Sequence, residues 1–363
     1  MNSRGIFFFS IFYFIYINCN GQQWVNVLTT KFGKQTLYRD ADDKALNGHY
    51  KIATSYDGRY SEINVKEGKL EGERKDFNKD GALVKVEYYK EGFLYGVVKD
   101  YYVNGKVKKE TTYEKGTLNG VVKGYDFNGN EVSTEHYENG LKVGKWVARI
   151  RKVSTSEYYT VTKFFTKGKP SGTWKEVNEE NTPVWIKKYF SSNHYRKREY
   201  YDNGQLKKEI TQKEGKTVGD KIEYYNTGTL KSKWTYKEGK LKYRLDNNED
   251  GNPKFIGHYK KGKLHGEHIH YDDNGQITMK GNFLDGRRNG VWEFNVTSKR
   301  ITTYKNGKKH GLEKIYSSDG KLFSEGSYAN NIKNGVWKYY NKNQDVTRET
   351  NYKRGKQEYE KKY

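Results

Sequence analysis

Residues 92–144 read GFLYGVVKDYYVNGKVKKETTYEKGTLNGVVKGYDFNGNEVSTEHYENGLKVG. Gly92, Gly116 and Gly140 stand 24 residues apart, and each has a second glycine four residues on, at Gly96, Gly120 and Gly144. Asn104-Gly105 and Asn128-Gly129 lie eight residues beyond the second glycine. Asn-Gly between aromatic and β-branched residues is the strongest short signal for a hairpin turn. Tyr101, Tyr113, Tyr125 and Tyr137 are spaced by 12. One period of 24 residues therefore holds two turns and two strands, with one aromatic in each strand.

The pattern extends both ways. Gly-x-x-x-Gly recurs at Gly68/Gly72, Gly168/Gly172, Gly215/Gly219, Gly262/Gly266, Gly286/Gly290 and Gly307/Gly311. From Gly168 to Gly215 is 47 residues, close to two periods, with Ser192 and Arg196 in a degenerate middle unit. Lys44 and Gly48 start the series one period before Gly68, and Asn331/Gly335 and Gly355 continue it. The repeats predict an all-β fold. It is an elongated antiparallel meander, or solenoid, of about thirteen 24-residue β-hairpin repeats over residues 44–363, irregular around 150–200 and 240–256.

The aromatic column comprises Phe77, Tyr89, Tyr101, Tyr113, Tyr125, Tyr137, Tyr259, Tyr271, Phe283, Tyr304, Tyr316, Tyr328, Tyr340 and Tyr352. Side chains alternate faces along a strand. If the turns enclose odd numbers of residues, all these rings share one face. A type I turn with a glycine bulge is a three-residue loop that meets the condition. The rings are expected to be framework, because every unit has one. A second, weaker column is Trp146, Trp174, Trp292 and Trp337, each two residues after the second glycine of its unit.

Composition agrees with a thin, repetitive fold. Hydrophobic types make up 33% of the 363 residues, too few for the core of a large globular enzyme. Aromatics reach 16%, which argues against disorder. A single cysteine excludes an internal disulfide. Lys and Arg number 68 against 45 Asp and Glu, a net charge of +23 spread over all units. Lysine protects the faces and edges of a long sheet, and it also attracts phospholipid, lipopolysaccharide or an acidic protein.

The first residues differ from the rest. Arg4 precedes the apolar run Ile6 to Ile17, IFFFSIFYFIYI. Its 12 residues fall short of the roughly 20 that span a bilayer, and fit the apolar region of a secretory signal. Asn18 and then Cys19 follow. This resembles a bacterial lipoprotein signal, in which the cysteine after the apolar run is lipidated and becomes the first residue. Residues 1–18 are thus expected to be a signal peptide, Cys19 a lipid anchor, and 19–43 an N-terminal linker or cap. The expected location is exported: a periplasmic, outer-membrane or cell-surface lipoprotein of a bacterium. Simple secretion with cleavage near Gly21 is the alternative. For an exported chain no nucleic-acid partner is expected.

Gly262-Lys-Leu-His-Gly266-Glu, Tyr271-Asp-Asp-Asn-Gly275-Gln and Gly307-Lys-Lys-His-Gly311 resemble MORN repeats, in the variant found in bacterial YwqK-type antitoxin proteins. The resemblance covers residues 44–363. It implies a β-hairpin array used for binding, and it brings no catalytic residues with it.

Two constellations have the residue types of metal sites. Asp76-x-Asn78-x-Asp80-Gly81 with Glu87 matches a calcium-loop pattern of hard oxygen ligands. Phe77 and Gly81 are also the repeat's own strand and turn positions, so a plain turn is the preferred reading. His268 and His270 share one face of a strand, where two imidazoles could hold a metal, while His265 lies in the turn; a solvated polar face is the preferred reading and no metal is expected. No nucleophile with a base, phosphate loop or cofactor motif is present, so no catalytic residue, enzyme activity or cofactor is expected. The expected function is a non-enzymatic envelope scaffold that binds a protein or an anionic envelope component through its long sheet. The alternatives are an antitoxin- or immunity-like protein that binds a toxin, and a glycan-binding module that uses the aromatic face. Edge strands also offer a route to a homodimer.

Overall fold

The computed structural model describes residues 10–12, 17–18, 21–22, 27–53, 57–154 and 156–363. The chain forms two compact units, Met1–Asn181 and Thr182–Tyr363. Among the described residues every regular element is a strand. In each unit strands pair antiparallel with their neighbours in sequence, as in Lys69–Phe77 with Leu83–Lys90, or Lys308–Tyr316 with Leu322–Ala329. The all-β meander expected from the repeats is the fold found.

Two kinds of turn alternate, and their chemistry explains the period. At the leading glycine two successive residues have positive φ: Glu91 and Gly92 at 52° and 79°, Lys115 and Gly116 at 46° and 69°, Asn139 and Gly140 at 49° and 78°. Two left-handed residues in a row make a two-residue type I′ turn, whose twist matches that of the strands. At the Asn-Gly sites only the glycine is left-handed, with Gly105 at 78°. There the Gly105 N–H bonds the Tyr102 carbonyl at 3.0 Å and the Tyr102 N–H bonds the Lys106 carbonyl at 2.9 Å. That closure is the three-residue type I loop with a glycine bulge.

The single aromatic face does not form, and bulges are the reason. Asp100 pairs with Lys109 but Tyr101 with Val107, which leaves Lys108 as an extra residue. One extra residue reverses the faces of everything beyond it. Type I′ turns enclose an even number as well. Rings 12 apart therefore lie on opposite faces, and only rings 24 apart share one. Tyr89, Tyr113, Tyr137, Tyr259, Phe283, Tyr304, Tyr328 and Tyr352 lie on the buried face. Strand alternation puts Phe77, Tyr101, Tyr125, Tyr271, Tyr316 and Tyr340 on the exposed face.

A simple rule governs the buried face. The second glycine of a Gly-x-x-x-Gly element stands directly opposite a ring on the next strand: Gly72 opposite Tyr89, Gly96 opposite Tyr113, Gly266 opposite Phe283, Gly311 opposite Tyr328, Gly335 opposite Tyr352. The ring covers backbone that the glycine leaves bare. From Gly286 to Gly307 is only 21 residues. There Asn295 pairs with Lys299 and no bulge follows, and Gly290 still meets Tyr304.

The weaker tryptophan column supplies the core. Trp292 is 0% exposed and Trp337 2%. They reach that depth on one sheet because small residues adjoin them. A methyl group built on Gly281 would overlap the Trp292 ring, and one on Gly326 the Trp337 ring. On their other sides stand Thr302 and Thr350. Small and large alternate from strand to strand, which is how a thin layer reaches interior packing density. The first unit adds an aliphatic cluster of Val27, Leu46, Ile52, Ile63, Val65 and Leu70. The hairpin of Val27–Phe32 and Gln35–Arg39 joins this cluster, and its Gln35 Nε2 donates to the Glu91 carbonyl at 2.7 Å.

Candidate binding surface

Among the described residues the buried face is occupied by its own side chains. Glu313, 2% exposed, accepts a bond from Thr302 Oγ1 at 2.8 Å and an ion pair from Lys309 Nζ at 2.7 Å. Arg74 lies between Asp76 at 2.9 Å and Glu87 at 3.8 Å. Burial opposes its charge, but Asp76, Tyr38 and Glu87 outweigh that and hold the guanidinium more firmly protonated than usual. Burial, reinforced by Glu135, pushes the Tyr137 hydroxyl up to about 12. In the units that lack a small partner a cation fills the space, as where Lys221 Nζ lies 4.0 Å from the Trp234 ring centre.

The exposed face is different. Glu325 pairs across strands with Lys314 on one side and Lys338 on the other, and Lys338 pairs on with Glu349. The Nζ to carboxylate distances are 3.3 Å for Lys314–Glu325 and 3.6 Å for Lys338–Glu349. Tyr340 donates to Glu325 at 2.7 Å and Tyr125 to Glu110 at 2.9 Å. Beside this charge ladder runs an apolar row of Val291, Leu312 and Val336, each exposed. Each follows the second glycine of its unit, so the three recur at the pitch of the repeat.

The calcium-pattern residues do not converge. Asp76 is taken by Arg74 and by Ser61 Oγ at 2.6 Å. Asn78 Oδ1 accepts the N–H groups of Asp80 at 3.0 Å and Ala82 at 2.9 Å, which is ordinary turn bonding. Glu87 is on the buried face with Lys85 at 2.7 Å and the Tyr89 hydroxyl at 2.8 Å. His268 and His270 do share a face, with Nε2 atoms 3.0 Å apart, but His268 is buried, so the solvated polar face expected there is not found. Phe255, Phe283 and Trp292 surround His268, with ring centres 4.8, 5.0 and 6.3 Å away. Burial, aided by the charges of His270 and Arg288, lowers the His268 imidazole to about 4. His265 is elsewhere, 3.2 Å from Asp285 on the turn edge. Among the described residues no group of three or more His, Cys, Asp or Glu is placed to hold a metal ion. Cys19 and most of residues 1–18, expected to be a signal peptide, lie outside the described residues. Of these residues, Ser10–Phe12 pairs with Val27–Phe32.

With this geometry in hand the matched segments are easy to place. Five segments match the MORN repeat variant. They are residues 94–115, 196–214, 217–238, 264–285 and 309–330. Four begin just past a type I′ turn and the segment 196–214 begins within the strand His194–Tyr200; each ends on the first residue of a type I′ turn. Each segment that matches the variant is therefore one hairpin built over a three-residue loop. MORN repeats commonly serve as binding or scaffold elements and are generally non-enzymatic. No curated protein matches the chain. A chain of the Photorhabdus luminescens Tc holotoxin pore with the mutation TccC3-D651A is similar at 10% identity, over 90% of this chain and 22% of that one. The TM-score is 0.14, so this likeness carries no argument. The present chain spans about a fifth (22%) of that chain's length.

Proposed function

We propose that the protein is a non-enzymatic scaffold of the bacterial envelope, anchored through Cys19, which binds a protein or an anionic envelope component through its exposed sheet face and turn edges. The observation that carries this reading is the division of labour between the faces. The buried face is closed by its own Trp, His, Glu and Thr side chains. The exposed face repeats one set of contacts, with an ion-pair ladder beside Val291, Leu312 and Val336. Repetition at a fixed pitch suits extended contact with a large partner. A net charge of +23 favours a negative one.

The test is capture from solubilised envelope with the intact chain and with Cys19→Ala, washed at low and at high salt. The scaffold reading expects one protein or polymer to be retained. A protein that survives high salt is held by the apolar row. An anionic component released by salt is held by charge, because exposed ion pairs are screened. If nothing is retained even at low salt, the reading fails. The intact chain should sediment with membrane and Cys19→Ala should not; equal behaviour removes the anchor.

A further inference from the structure

The type I′ turns of the second unit carry an arrangement that folding alone disfavours. The residues that close each two-residue turn face one another, and like charges in that position destabilise a hairpin. Yet Lys213 pairs with Lys216, Lys237 with Lys240 and Lys260 with Lys263. The same match recurs at Lys305–Lys308 and Lys353–Lys356. Lys and Arg fill 68 of 363 positions, so composition alone would make a closing pair doubly cationic roughly one time in thirty. All ten lysines are exposed. Among the described residues the single ion pair any of them makes is Lys353 with Glu358, at 3.7 Å.

The turns are also in register with each other. The Gly286 N–H bonds the Leu264 carbonyl at 2.8 Å, Gly307 bonds Arg288 at 2.8 Å, and Gly355 bonds Lys333 at 3.0 Å. Successive turns are two strands apart, an interval of about 10 Å. Arg287 adds a cation at the turn it closes with Leu284, while the turn closed by Ala329 and Ile332 carries none, because Lys333 Nζ lies 4.1 Å over the Trp337 ring. The edge thus carries five ammonium pairs over seven successive turns, spaced at multiples of about 10 Å.

We propose that this edge binds a linear acidic polysaccharide that alternates neutral and carboxylated sugars. The inference rests on the scaffold reading and gives it a surface and a ligand class. A row one pair wide fits a strand-shaped polyanion. An interval of about 10 Å fits one carboxylate for every two sugars, and is far wider than the phosphate spacing of a nucleic acid. The five lysine pairs and the turns between them hold no aromatic residue, whereas single-stranded nucleic acid is held on stacking rings.

The test uses the full chain and hyaluronan oligosaccharides of graded length, with oligo-dT and phosphatidylglycerol vesicles as competing probes. The edge variant is Lys237→Gln/Lys240→Gln/Lys260→Gln/Lys263→Gln. A control, Lys207→Gln/Lys231→Gln/Lys254→Gln/Lys342→Gln, removes the same charge from the Asn-Gly edge. Binding should tighten as the oligosaccharide lengthens. It should fall about tenfold in the edge variant and less than about threefold in the control. The edge variant should melt no lower than the parent, since like-charge pairs have been removed, so the loss is not unfolding. Equal loss in the two variants overturns the proposal. Tighter binding of oligo-dT or of vesicles overturns the ligand class. If the edge variant still captures an envelope component while the parent ignores hyaluronan, the proposal falls and the scaffold stands. If the parent captures nothing from the envelope, both fall.

Discussion

At the scale of single residues, the buried polar groups are of two kinds. Glu313 sits among partners, with Thr302 and Lys309 bound to its carboxylate. His268, 7% exposed, is instead held neutral, with His270 as its hydrogen-bond partner and Arg288 nearby. A folded imidazole that titrates near 4, against an unfolded one near 6.5, makes the fold acid-sensitive. The sign follows from proton uptake. Above about pH 6.5 both states are neutral and the contribution is intact. As the pH falls towards 4 the unfolded chain binds the proton first, and stability drops by on the order of 3 kcal/mol at most. Melting temperatures of the parent and of His268→Phe, followed from pH 7.5 to 4.5, measure this. The parent should lose more than the variant, and parallel curves would refute the assignment. The sequence placed the two histidines on one face correctly. It gave no sign that the pair sits beside Trp292 and Phe283, because those contacts come from neighbouring strands.

At the scale of the strand, the small residue two places before a ring is as important as the ring. Gly281, Thr302, Gly326 and Thr350 each precede an inward aromatic by two, and each makes space for a large neighbour. Gly281→Ala should therefore cost about 1–3 kcal/mol through overlap with the Trp292 ring. Trp292→Val should cost more, because it empties a fully buried site. The double variant should be less damaging than the sum, since valine leaves room for the new methyl. Urea unfolding of the four chains tests the cycle, and strict additivity would count against the pairing. These positions explain what was legible. The 24-residue period, the strands and the Asn-Gly loops could be read directly, because turn chemistry is local. The faces could not, because they hang on Lys108 and its equivalents, single bulged residues with no signature of their own. A search for small residues two before each ring would have found the buried face at Tyr113, Tyr259, Phe283, Tyr304, Tyr328 and Tyr352, but not at Tyr89 and Tyr137, which follow Glu87 and Glu135.

At the scale of the whole molecule, strands touch mainly their sequence neighbours, and damage should stay local. Hydrogen exchange of Gly281→Ala should show faster amides in 253–305 while those in 83–125 keep the parent's rates. A uniform acceleration would mean that the chain unfolds as one cooperative body. The turns have a chemical consequence as well. The chain relies on Asn-Gly bonds at Asn104, Asn128, Asn203 and Asn274 in the three-residue loops, and at Asn139 and Asn306 in the type I′ turns. Glycine offers no side chain to hinder attack of its amide nitrogen on the preceding asparagine, so these are the bonds most prone to deamidation through a succinimide. Every event leaves an aspartate or isoaspartate, adds a negative charge and, as isoaspartate, lengthens the backbone inside a turn whose geometry sets the register. The protein therefore ages at its turns, becoming less basic as it does so.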